Sequence, residues 1–138
     1  MNGPVTYAHI EERARAIAGL AGFRLPRWWL TFYLTAAPSD LDQLAVELAS
    51  FDAVNLDGGG GGFLYPKVPV ANEPGAVADL VCNIRALALR RDVEVLSVDV
   101  DTSPEVERSA FKELIRFGRN DRQRPKPWTP PTRAKSLP

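Results

Sequence analysis

Across 138 residues, 17 basic and 17 acidic side chains cancel to zero net charge, and 45% of the residues are hydrophobic. That length fits one domain whose core needs neither disulfide nor metal to hold it. One cysteine, Cys82, excludes an internal disulfide and implies a reducing compartment. No apolar run approaches the ~20 residues of a membrane span and the N-terminus lacks a signal-peptide core, so the chain reads as cytoplasmic.

The zero net charge hides an asymmetry. Residues 118–138 carry Arg119, Arg122, Arg124, Lys126, Arg133 and Lys135 against Asp121 alone, +5 in all, which leaves residues 1–117 at −5. An acidic body favours a protein partner with a basic surface, whereas the basic tail offers a route to nucleic acid.

In chain order, residues 5–20 place Tyr7, Ile10, Ala14 and Ile17 at helical spacing, an amphipathic helix that, with its linker, occupies 1–27. Trp28 to Thr35 alternates with period two. Trp28, Leu30, Phe32 and Leu34 belong on one face, and Trp29, Thr31, Tyr33 and Thr35 on the other. A helix then opens at Pro38-Ser39-Asp40, with Ser39 the candidate N-cap and Leu41, Leu44, Ala45 and Leu48 its buried stripe.

Phe51 to Leu56 predicts a short strand, and Gly58 to Gly62 a flexible hairpin turn. Phe63 to Val68 leaves that turn as a strand, and Pro66 makes the strand an edge or a bulged one. Pro74 opens a long helix striped by Val77, Leu80, Val81, Ile84 and Leu87. Val93 to Asp101 returns as a strand, with Ser97, Asp99 and Asp101 facing outward. Ser103-Pro104-Glu105 has the form of a further helix start, with Val106, Ala110, Phe111, Leu114 and Ile115 apolar.

The order β-α-β-β-α-β predicts an α+β, ferredoxin-like sandwich over 28–117, with an extra helix at each end. Residues 118–138, with five prolines and six basic side chains, predict a disordered, removable tail.

Candidate chemistry is sparse. His9 is the one histidine and has no sequence neighbour to orient it, and Cys82 reads as a small residue beside an apolar stripe. No zinc spacing occurs, and the glycine run lacks a P-loop ending and precedes a strand. The reading is therefore no catalytic residue, no metal and no cofactor. Asp99 and Asp101, with Asp92 and Glu94 nearby, read as a solvated acidic patch. Trp29 and Tyr33 with Phe63, Tyr65 and Lys67 occupy places like those of an RNA-stacking platform, but Pro66 breaks that pattern and the acidic last strand opposes phosphate.

The junction Tyr33-Leu34-Thr35-Ala36-Ala37-Pro38-Ser39-Asp40-Leu41-Asp42-Gln43-Leu44, and the segment from Leu80 to Val95 ending Arg91-Asp92-Val93-Glu94-Val95, resemble the regulators of ribonuclease E activity of the B type. The resemblance covers roughly residues 28–102 and is one of topology. This chain reads Leu96-Ser97-Val98-Asp99 where that family carries Tyr-Asp-Gly-Trp, and its tail is basic where the family's is acidic. What the resemblance implies is a small acidic domain that binds and restrains another protein.

The expectation is thus a non-enzymatic regulator or inhibitor of a nuclease, or an immunity protein for a toxin. RNA binding through the sheet aromatics, or an enzyme of unknown type, are the alternatives. The candidate partner-facing residues are Trp29, Tyr33, Asp57, Phe63, Tyr65, Glu94, Asp99 and Asp101.

Overall fold

The alternating segment at the front of the chain becomes the central strand, β1 (Arg27–Thr35), in a computed structural model that describes residues 5–105 and 110–117. Around it the described residues form three α-helices and a five-stranded antiparallel sheet, an α+β arrangement. The helices are α1 (Tyr7–Ala18), α2 (Pro38–Leu48) and α3 (Pro74–Arg90). The remaining strands are β2 (Phe63–Leu64), β3 (Lys67–Ala71), β4 (Glu94–Asp101) and β5 (Phe111–Arg116).

On one side of β1 lies β4, with Leu30 opposite Val100 and Phe32 opposite Val98. On the other side β2 and β3 act as one strand interrupted at Tyr65-Pro66, with Leu34 opposite Leu64 and Leu30 opposite Val68. β5 extends the sheet beyond β4. One face carries the core. Trp28, Leu30, Phe32 and Leu34 are fully buried there with Val98 and Val100, beneath Ile10, Ala14 and Ile17 of α1, Leu41, Leu44 and Leu48 of α2, and Val77, Val81 and Ile84 of α3. Burying a side chain of this kind contributes about 1.5–3 kcal/mol.

The helix ends follow local chemistry. Thr6 caps α1 by accepting from the His9 N–H, 3.1 Å away. Proline stands at the start of α2 and of α3, where no intrahelical donor is lost. Ser39 is not a cap. Ala37 holds that position, and Ser39 lies inside the first turn. Tyr7 ties α1 to α3, its hydroxyl donating to the Asp79 carboxylate at 2.9 Å, and that bond raises the phenol above its ordinary value. Arg91 at the end of α3 bonds Glu47 and Gln43 of α2.

Three expectations change. First, residues 111–116 form a strand, not the C-terminal helix that their apolar spacing suggests. The opening serine does bond the Glu105 N–H at 3.0 Å. Beyond it, however, only Leu114 and Ile115 are buried among the described residues, while the backbone of β4 offers an edge whose polar groups need partners. Second, Phe51 to Leu56 is not a strand. Asp52 and Asn55 hold left-handed φ values of 63° and 62°, which break an extended run, and only Val54 bridges to Lys67. Third, Cys82 is exposed. It follows the buried Val81 by one residue, and about 100° of helical rotation carries it off the stripe. The expectation of a structureless tail over 118–138, like Val106 in the proposed helix, lies outside the described residues.

Both sheet edges are obstructed. The N–H and C=O of Lys67 turn outward to Val54, at 3.0 and 2.8 Å. Two residues on, Pro69 occupies the equivalent outward place and has no N–H to offer. At the far edge β5 bulges where the register slips between Val98 and Asp99, and Arg13 of α1 donates to the carbonyls of Glu113 and Leu114 at 2.6 and 3.1 Å. Among the described residues no helix is long and apolar enough to cross a membrane.

Candidate functional site

The second face of β1 takes the opposite character from the same alternation. Period two sends Trp29, Thr31, Tyr33 and Thr35 away from the helices. The register then decides their neighbours. Thr31 stands between Lys67 and Asp99, Trp29 between Pro69 and Asp101, Tyr33 beside Ser97, and Thr35 between Phe63 and Glu94.

These side chains form a bonded polar floor. The Thr31 hydroxyl donates to Oδ2 of Asp101, its diagonal neighbour on β4. Nζ of Lys67 reaches the same oxygen at 3.1 Å, with both side chains buried. The Tyr33 hydroxyl donates to Oδ2 of Asp99 at 2.8 Å. Thr31, Tyr33, Lys67, Ser97, Asp99 and Asp101 are all buried. A buried charge is tolerated only where a partner of opposite sign or several donors replace water, and the Lys67–Asp101 pair with Thr31 has that form.

Aromatic rings border the floor. Tyr65 lies against Tyr33 with centroids 5.3 Å apart and planes at 57°, a tilted pair. Burial pushes the Tyr65 phenol above its ordinary value. Trp29 and Phe63 are half-buried. Phe63 is positioned by the glycine turn: Gly62, at φ 89°, accepts at its carbonyl from the Ala36 N–H at 3.2 Å and the Thr35 hydroxyl at 2.8 Å. A residue with a side chain would be strained at that φ. The run just before it is a short 3₁₀ turn, Gly59–Gly61, not a hairpin between two strands.

Of the residues expected at a partner surface, Trp29, Tyr33, Tyr65, Asp99 and Asp101 come together on this face, with Phe63 and Glu94 at its end. Asp99 and Asp101 are buried rather than solvated, because the face on which they stand is enclosed. Glu94 is exposed, and Asp57 is exposed in the loop ahead of the glycines. His9 is exposed at the start of α1, far in sequence from the floor. Among the described residues, no group of three His, Cys, Asp or Glu side chains is placed to hold a metal ion.

Sequence reasoning missed the part played by Thr31 and Lys67. The signal was present, since both fall on the same face as Asp101 by period two. No family model, no curated protein and no solved structure matches this chain.

Proposed function

We propose that this domain is a non-enzymatic regulator that acts by binding another protein with a basic surface, a nuclease or a toxin whose activity it restrains. The observation that supports this most directly is the rim of the polar face. Trp29, Phe63 and Tyr65 are half-exposed rings held on sheet strands, and the exposed carboxylates Asp57 and Glu94 add negative charge to the same body. Partly exposed aromatics on a rigid support are the usual anchors of protein interfaces, while exposed acidic groups speed the approach of a basic partner. As part of the same proposal, the fold is a ferredoxin-like βαββαβ sandwich whose outermost strand is reduced to the Val54–Lys67 bridge and to which β5 is added. The topological resemblance to the regulators of ribonuclease E activity points the same way.

Calorimetric titration of the purified chain against the product of the neighbouring gene tests the reading. Binding is expected to weaken with Trp29→Ala and with Asp57→Lys or Glu94→Lys, and its association rate to fall with salt. Binding untouched by all three variants places the interface elsewhere. Salt-sensitive binding of single-stranded RNA that is lost with Trp29→Ala, in place of protein binding, overturns the reading in favour of a nucleic-acid module.

A further inference from the structure

The connection between α1 and β1 has a composition unusual for a loop in water. It reads Gly19-Leu20-Ala21-Gly22-Phe23-Arg24-Leu25-Pro26, and Arg27 follows. Exposed turns usually draw on Asn, Asp and Ser beside glycine and proline, and this one has none of the three. Phe23 is buried as its anchor, whereas every other residue from 19 to 27 is exposed. Leu20 is 40% exposed and Leu25 36%.

Much of the loop's backbone is satisfied from within the protein. The Gly19 carbonyl accepts from the Arg24 guanidinium at 3.0 Å, and the Leu20 carbonyl from the Phe23 N–H at 3.1 Å. The Phe23 carbonyl accepts from the Trp28 indole N–H at 2.9 Å. Asn72, just beyond β3, donates from its side chain to the Leu25 carbonyl at 2.8 Å and from its backbone to the Pro26 carbonyl at 3.0 Å. Carbonyls bonded in this way do not depend on water, so the apolar side chains beside them can leave water at small cost.

The charge is of one sign. Residues 13–39 hold Arg13, Arg15, Arg24 and Arg27 and no acidic side chain. Other arginines are engaged: Arg13 by the β5 carbonyls, Arg91 by Glu47, Arg116 by Glu113, and Arg85 by the ring of Phe117 at 4.0 Å. Among the described residues, Arg24 and Arg27, with Arg15 one turn before the loop, pair with no carboxylate. The bracing turn adds the exposed Glu73, which leaves the patch net positive. We propose that this loop docks on an anionic lipid surface, with Leu20 and Leu25 entering the headgroup boundary and the arginines meeting lipid phosphates. Interfacial binding combines buried apolar area with attraction to anionic lipid, and the loop supplies both. An acidic protein segment would engage the arginines, but it gives no reason for bonded carbonyls beneath two exposed leucines. The inference is independent of the protein-binding reading, which uses other residues.

Co-sedimentation of the full chain with vesicles tests it. Binding is expected to phosphatidylglycerol mixed equally with phosphatidylcholine, and not to phosphatidylcholine alone. Arg24→Gln with Arg27→Gln should weaken it by roughly tenfold or more. Leu20→Ser with Leu25→Ser should weaken it by roughly tenfold. Arg90→Gln, exposed at the far end of α3, should leave it unchanged. Urea midpoints recorded alongside separate lost binding from lost fold. An environment-sensitive fluorophore on Ala21→Cys, in the Cys82→Ser background, should shift to the blue on the mixed vesicles. Absence of binding overturns the proposal. So does binding that survives either loop pair, which would assign it to charge alone or to the basic segment 118–138. A fluorophore that responds to polyglutamate and not to vesicles also overturns it, and would make an acidic protein the partner.

Discussion

The two faces of the sheet reach similar burial by opposite chemistry. The helix side excludes water with Trp28, Leu30, Phe32, Leu34, Val98 and Val100, which have no polar group to satisfy beyond the Trp28 indole N–H, bonded to the Phe23 carbonyl at 2.9 Å. The far side excludes water over Thr31, Lys67, Asp99 and Asp101, every one of which needs a partner. An apolar face tolerates imperfect neighbours, because its cohesion is non-directional. A buried polar face is all-or-none: satisfied it specifies one arrangement, and partly satisfied it costs more than an apolar replacement. The helix side thus supplies non-directional cohesion, and the polar side ties the sheet to one arrangement.

Four changes would break or sharpen that contrast. The largest effect is expected from Phe32→Ala on the helix side, which should cost about 3–5 kcal/mol in urea unfolding, with Ile84→Ala at about 2–5 kcal/mol. Comparable losses from exposed Val46→Ala would show that the core has been wrongly located.

On the polar side, Lys67→Met leaves Asp101 buried without its cation and should cost about 3–5 kcal/mol. The double variant Lys67→Met, Asp101→Leu should recover most of the loss, since replacing a buried pair by apolar groups is often neutral. A single variant as stable as the parent would mean that Asp101 reaches water.

A smaller effect is expected for Tyr33→Phe. It removes one hydrogen bond to a carboxylate, worth about 1.5–3 kcal/mol, and keeps the ring against Tyr65. Additivity of this loss with that of Lys67→Met would separate the floor into two independent pairs. Strong non-additivity would make it one network.

The smallest effect belongs to Tyr65. Its phenol is raised by burial, so the folded chain holds a proton that the unfolded chain releases above the ordinary value of 10.0. The associated stability is fully present below that pH and is lost as pH rises through the folded value. Alkaline urea midpoints should therefore fall less steeply in Tyr65→Phe than in the parent. Tyr7, whose bond to Asp79 raises it too, contributes in the same direction and remains in both proteins.

Much of the layout is legible in the residues. Alternation over Trp28 to Thr35 is enough to assign every side chain of β1 to its face, because the side-chain period of a strand is two whatever it pairs with. The prolines at 38 and 74 mark helix starts for a reason equally local. What escapes is decided by partners far along the chain. Leu114 and Ile115 fit a helical stripe or a strand edge equally well, and the exposed backbone of β4 settles the matter. Asp99 and Asp101 look like surface charge because sequence spacing carries no information about enclosure. Thr31 and Lys67 are 36 residues apart, and their link through Asp101 depends on a register that only the folded sheet defines.

The blocked edges bear on how this domain can associate. Pro69 at one margin and Arg13 on the carbonyls of Glu113 and Leu114 at the other hinder an incoming chain from continuing the sheet by backbone pairing. Backbone pairing is indifferent to sequence, and it is the route by which sheets grow into fibrils or recruit unrelated chains. A domain closed to it must be read through its side chains. Single substitutions on the exposed surface then change what the domain presents, while the sheet beneath stays unchanged.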